Sequence, residues 1–167
     1  WRENRINAIH EGTNGIQAMD LLGRKLLGDG GKAFGLLSKR VEATLAAARA
    51  DAALAPLAET LATRWAALGP AVVKAGKVAA ADLELALANA YLLLDAMGHA
   101  VVAWLWLDQA LAARQALAAG DVRRAMLEGK AAAARYFIDW ELPTKDAVLA
   151  RFASLDPLCR DLDPAVL

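Results

Sequence analysis

Alanine fills about a quarter of this chain, and leucine, valine, tryptophan and phenylalanine recur among the alanines every three or four residues. No stretch alternates convincingly between apolar and polar residues. The recurrence is therefore the period of a helix and not of a strand. Alanine also has the least to lose on entering a helix. At 167 residues the chain is long enough to bury one sizeable core. The expected fold class is all-α: an up-and-down helical bundle with a long central helix and no sheet.

Punctuation divides the pattern. Ile16, Met19, Leu22 and Leu26 predict a helix over 14–27, with Thr13 and Asn14 as capping residues at its start. Gly28-Asp29-Gly30-Gly31 should stop it, since successive glycines supply left-handed backbone. A second helix is expected over 32–50. Pro56 suits the first turn of a third, which Gly69-Pro70 should kink or break because Pro70 has no amide hydrogen for the helical ladder. Asp82 is a candidate cap for a fourth helix reaching to about Ala119, apolar on nearly every side and so central. A fifth runs from Asp121 to Glu141, where Leu142-Pro143 ends it. A short helix over 144–154 and a loose tail with Pro157 and Pro164 complete the chain.

Composition excludes several functions. Nineteen lysines and arginines balance nineteen aspartates and glutamates, so no net field draws the chain to nucleic acid or an anionic membrane. Cys159 is the single cysteine, which rules out an internal disulfide or a cysteine-rich zinc site and suits a reducing, cytoplasmic setting. The apolar run from Tyr91 to Leu107 is interrupted by Asp95 and His99 and falls short of a membrane span. The start at Trp1 instead of methionine is expected of a fragment of a longer polypeptide.

The stretch most suggestive of chemistry is His10-Glu11-Gly12-Thr13-Asn14-Gly15-Ile16-Gln17, a carboxylate in a glycine-rich turn ahead of an amphipathic helix. From the residues alone, Glu11 reads first as an ordinary acid near a helix start, favoured there by the helix dipole, and only the longer signature below makes it a base. A zinc reading of His10-Glu11 fails for want of a second histidine at helical spacing. His99 reads as a satisfied core histidine. Arg123, Arg124, Lys130 and Arg135 read as a solvated helix face, or as a basic strip for phosphates. Trp104 and Trp106 point to different sides of their helix, one of them a possible interface anchor. Cys159 has no base in sight.

The opening stretch from Trp1-Arg2-Glu3-Asn4-Arg5-Ile6 to Asp20-Leu21-Leu22-Gly23-Arg24-Lys25 resembles the C-terminal signature of the acyl-CoA dehydrogenase family. The resemblance implies an FAD enzyme that oxidises a saturated acyl-CoA to the trans-2-enoyl-CoA. It makes Glu11 the catalytic acceptor of the α-proton and sets Thr13, Asn14 and Gly15 against the FAD. Many members carry glutamine at the position of Gly15 and tyrosine at that of His10. The Asn14-Gly15 pair and the long helical extension resemble the branch with an extra C-terminal helical domain, which includes methylmercaptopropionyl-CoA dehydrogenases. Lys130-Ala131, Ala134-Arg135-Tyr136-Phe137 and Leu142-Pro143 carry that second likeness. On this reading residues 1–28 are the end of the flavin domain and 32–167 the extra bundle. Acyl-CoA as substrate, an electron-transfer flavoprotein as partner, a homo-oligomer and no metal are implied, and the fragment alone should be inactive. The competing reading is a non-catalytic helical module for subunit assembly or channel covering.

Overall fold

The computed structural model describes residues 13–166, and among them there is no strand. Among the described residues eight α-helices form the expected bundle: α1 (Asn14–Met19), α2 (Lys32–Arg49), α3 (Ala55–Ala79), α4 (Leu83–Ala88), α5 (Ala90–Ala118), α6 (Arg124–Tyr136), α7 (Asp146–Ser154) and α8 (Leu158–Asp161). α5 is the long central helix, packed by α1, α2, α3, α6 and α7. Its buried alanines Ala96, Ala100, Ala103 and Ala110 let neighbours approach closely, while Leu93, Met97 and Leu107 fill the seams.

α1 continues as a π-helical segment, Asp20–Leu27. The buried residues Ala18, Leu22 and Leu26 recur every four positions, slightly more than one α-turn, and a widened turn keeps them on one face. All three belong to the same core as α2 to α7. Beyond them, Gly30 and Gly31 take positive φ as the sequence suggests. Asp29 then caps α2, accepting from the amides of Gly31 (3.0 Å) and Ala33 (2.9 Å).

Several boundaries differ from the sequence expectation. α3 runs unbroken through Pro70. The carbonyl that Pro70 leaves without an amide belongs to exposed Ala66, so water can serve it, while Leu68, Ala71 and Val72 stay buried beside it. The fourth helix is two helices. Asp82 caps α4 as expected, accepting from the Leu85 amide (2.9 Å), but Asn89 breaks the run with φ −110° and ψ 16°. Its buried side chain donates to the carbonyl of Asp156 (2.8 Å), a tertiary partner that no local pattern reveals.

Leu142-Pro143 does not end the next helix in a loop either. α6 widens into a π-helical segment, Phe137–Glu141, then tightens into a 3-10 turn, Leu142–Lys145, and passes directly into α7. Leu155 closes α7 with φ 55°, a conformation costly for leucine. Burial of its side chain in the core offsets that cost. The tail is not loose: α8 packs on α4, and Arg160 forms an ion pair with Asp82.

By length and composition α5 could cross a membrane, which the interrupted run from Tyr91 to Leu107 did not suggest. A core helix meets the same criterion, and here its inner face is buried in the bundle. Its polar pair is satisfied within the fold. His99 Nδ1 donates to the Asp95 carbonyl (2.9 Å), which fixes the hydrogen on that nitrogen. Lys145 donates to the Asp95 carboxylate (2.9 Å), and the His99 ring stacks on Phe137.

Candidate functional site

The sequence candidates converge on the chain's entry into α1. Glu11 and His10 lie outside the described residues. Thr13, Asn14 and Gly15 follow at once and are exposed together on the first turn. Thr13 occupies the capping position, and its carbonyl accepts from the Gln17 amide (2.9 Å). Its hydroxyl makes no capping bond, in contrast to the expectation for that residue. With φ −100° and ψ −9° the backbone is already helical there, not in the extended form that aims a capping oxygen at the helix.

Such a turn offers backbone amides, one hydroxyl and one side-chain amide outward. A Cβ at Gly15 would meet nothing within 4 Å, so the backbone can be approached closely there. Orphan amides of a first turn favour anionic oxygens. The residues present therefore fit the phosphate or ribose portion of a nucleotide cofactor. Beside them a shallow groove of about 390 Å³ is lined by Gly15, Met19, Glu84, Leu87, Ala88, Ala90 and Tyr91.

One turn further, Asp20 accepts from Arg24 (3.1 Å to Nη2) and pairs with Lys25 (3.2 Å). The π-helical widening lets positions four and five residues on share one carboxylate. The Arg24 hydrogen bond foremost, with Lys25 adding to it against partial desolvation, holds the Asp20 carboxyl down at about 2. Asp121 is held at about 2 by Arg123 in the same way. Because the folded value lies below the ordinary one, both contributions are complete above pH ~4 and are lost as pH falls towards 2. A carboxyl carbon NMR titration should place both midpoints near 2, and ordinary midpoints near 4 would disprove the pairing.

The other candidates are accounted for within the fold. Arg123 pairs with Asp121 (2.6 Å), Arg124 with Glu128 (3.0 Å) and Arg135 with Asp139 (3.5 Å), so the basic strip is largely neutralised. Trp104 donates to Thr44 (2.9 Å), and Trp106 lies under the Lys130 ammonium, on another side of α5 as the spacing required. Cys159 is exposed. Among the described residues, no cluster of histidine, cysteine or carboxylates could hold a metal.

Sequence reasoning missed a groove of about 530 Å³ between α3 and α7, with Ala67, Pro70, Ala71 and Leu149 in its walls. Arg64 pairs with Asp146 (2.9 Å) at one end of α7, and Lys74 donates to the Ala153 carbonyl (2.6 Å) at the other. These contacts join residues about eighty positions apart and leave no local signal.

Residues 37–163, from within α2 to beyond α8, match the family model described as Acetyl-CoA dehydrogenase C-terminal like. The chain is 35% identical over 138 residues to a 3-methylmercaptopropionyl-CoA dehydrogenase of Ruegeria pomeroyi, covering 82% of this chain and 23% of that protein. It is 28% identical over 173 residues to the broad-specificity linear acyl-CoA dehydrogenase FadE5 of Mycobacterium tuberculosis, covering 98% of this chain and 28% of that protein. The chain thus spans about a quarter of the length of these curated relatives. An all-α bundle whose body is matched over so much of its length belongs to the acetyl-CoA dehydrogenase C-terminal-like family, the C-terminal part of acyl-CoA dehydrogenases.

Proposed function

We propose that this chain is the C-terminal portion of an FAD-dependent acyl-CoA dehydrogenase that oxidises a saturated acyl-CoA to the trans-2-enoyl-CoA. The observation that carries the reading is the family match over 37–163, together with two relatives that are both acyl-CoA dehydrogenases. Residues 1–28 close the flavin domain and 32–167 form the additional helical bundle. The parent is a cytoplasmic homo-oligomer that hands its electrons to an electron-transfer flavoprotein.

Glu11 takes the α-proton. A carboxylate does this well when lowered water access raises its pKa towards that of the activated thioester. Thr13, Asn14 and Gly15 hold the cofactor through the hydroxyl, the side-chain amide and the orphan amides of the first turn of α1. The flavin, when bound, supplies the acceptor for the β-hydride. The remainder, residues 32–167, is architectural on this reading.

The exposed turn of α1 offers a cofactor one side of a site and not an enclosure. The 167-residue chain by itself is therefore expected to bind no FAD and to oxidise no acyl-CoA. Gel filtration after incubation with FAD should leave no flavin absorbance with the protein peak. The decisive test of the reading is dye reduction by the intact parent polypeptide with a series of acyl-CoA thioesters. A flavin-free parent with no turnover on any of them would refute it.

A further inference from the structure

The stripe of α3 that faces α7 is built of small or rigid residues. Ala67, Pro70 and Ala71 form one wall of the groove of about 530 Å³ between the two helices, and Ala150, Ala153 and Leu149 form the other. Side chains of that size cannot close a gap between helices whose ends are already fixed. Arg64 holds Asp146 (2.9 Å) at the start of α7, and Lys74 holds the Ala153 carbonyl (2.6 Å) near its end. Folded interiors are otherwise close-packed. An open, mostly apolar groove with a few polar groups at its ends, within the range of ~300–1,000 Å³, has the form of a small-molecule site.

The two ends differ in charge. At the Arg64 end the guanidinium and the Asp146 carboxylate cancel, and the Thr63 hydroxyl is spent on the Glu59 carbonyl (3.0 Å). At the other end Lys74 gives one of its three ammonium hydrogens to a neutral carbonyl, and Lys77 follows three residues on along the same helical stripe. Both lysines are exposed. Among the described residues the lysines in ion pairs are Lys25 and Lys145, so these two ammoniums have no carboxylate partner there. Asp82 and Asp156, the acids that follow α3 and α7 in the chain, are already held by Arg160 and Arg151.

We propose that this groove binds an amphipathic carboxylate, its apolar body lying on the alanine and proline walls and its anionic head at Lys74 and Lys77. The stretch from Arg64 to Lys74 is about 15 Å long at the helical rise. At ~1.5 Å per carbon–carbon bond in a zigzag, a body of roughly eight to ten carbons fills it. The head sits against the carbonyl end of α7, the negative pole of that helix, which favours a single charge over a doubly charged phosphate. Two lysines also present separate point charges and not the rigid fork of an arginine, as a small head of free orientation requires. The site lies within the part of the chain that the reading above leaves architectural, and it uses none of the acyl-CoA chemistry.

Amide NMR titration of the 167-residue chain with octanoate should shift Ala67, Ala71, Ala150 and Ala153 saturably. Butanoate should bind roughly tenfold more weakly, for want of four partly buried methylenes. Lys74→Met with Lys77→Met keeps the aliphatic stems and removes the charges. It should weaken octanoate roughly tenfold and leave octan-1-ol, which carries no charge, bound as before. Ala150→Phe, at an exposed position on α7, should fill the groove and abolish both shifts with helical circular dichroism unchanged. Octanoate that shifts no groove residue, or binds the methionine variant as tightly as the original chain, overturns the proposal. A groove that hydrogen exchange shows to be covered in the longer polypeptide, where octanoate then has no effect, also overturns it and assigns that face to the remainder of the parent. None of these measurements reads acyl-CoA turnover by the parent, so the two readings fail separately.

Discussion

Glu11→Gln in the flavin-loaded parent enzyme is expected to lower turnover by about a hundred- to ten-thousand-fold while leaving flavin content unchanged. Glutamine keeps the shape of glutamate and its capacity for hydrogen bonding, so binding of substrate and cofactor has no reason to collapse. Its amide oxygen cannot take up a proton at neutral pH. The loss should therefore equal what a positioned base contributes in the transition state, about 10² to 10⁴ in rate. It should fall on kcat and kcat/KM alike, because the interaction is made as the proton leaves and not on binding. Single-turnover bleaching of the flavin band on mixing with acyl-CoA separates the chemical step from release. A glutamine variant that retains both flavin and full turnover would remove Glu11 from the mechanism.

Phe152→Ala should be the most destabilising single change in the bundle, at about 3–5 kcal/mol for an emptied buried phenylalanine. Phe152 is fully buried on α7, a helix of nine residues that is too short to stand without tertiary packing. Its ends are held to α3 by the Arg64–Asp146 pair and by Lys74 on the Ala153 carbonyl, yet surface ion pairs contribute only a small fraction of that amount. The side chain between the two clamps is thus the larger stabiliser. For a domain of this size the loss corresponds to a fall in Tm of roughly 6–20 °C. Thermal and urea melts check it, and a shift of only one or two degrees would show that the core collapses to fill the space.

The pattern of buried residues was legible where it depends on neighbours in sequence. Leu57, Leu61, Trp65 and Leu68 line the buried face of α3 as their spacing requires, and Asp82 and the glycines at 30 and 31 terminate helices as local chemistry dictates. The candidate site was legible only through its motif. Thr13, Asn14 and Gly15 do stand together on an exposed turn, but Thr13 caps through its backbone alone because the chain enters α1 already in helical conformation.

Helical content, the order of the elements and the central place of α5 follow from the amino-acid sequence by itself, because period and capping involve residues within one or two turns of each other. Tertiary structure alone decided that α3 survives Pro70, that Asn89 splits the fourth helix, and that Asp95 pairs with Lys145 fifty residues away. Each of these rests on surroundings that sequence neighbours do not set: the exposure of Ala66, whose carbonyl Pro70 frees, the backbone of Asp156, and an ammonium from another segment. The exposure of Tyr91, Val102 and Leu105 on α5 belongs to the same class. Composition marks the helix for full burial, and only the arrangement of its neighbours shows which face they leave open.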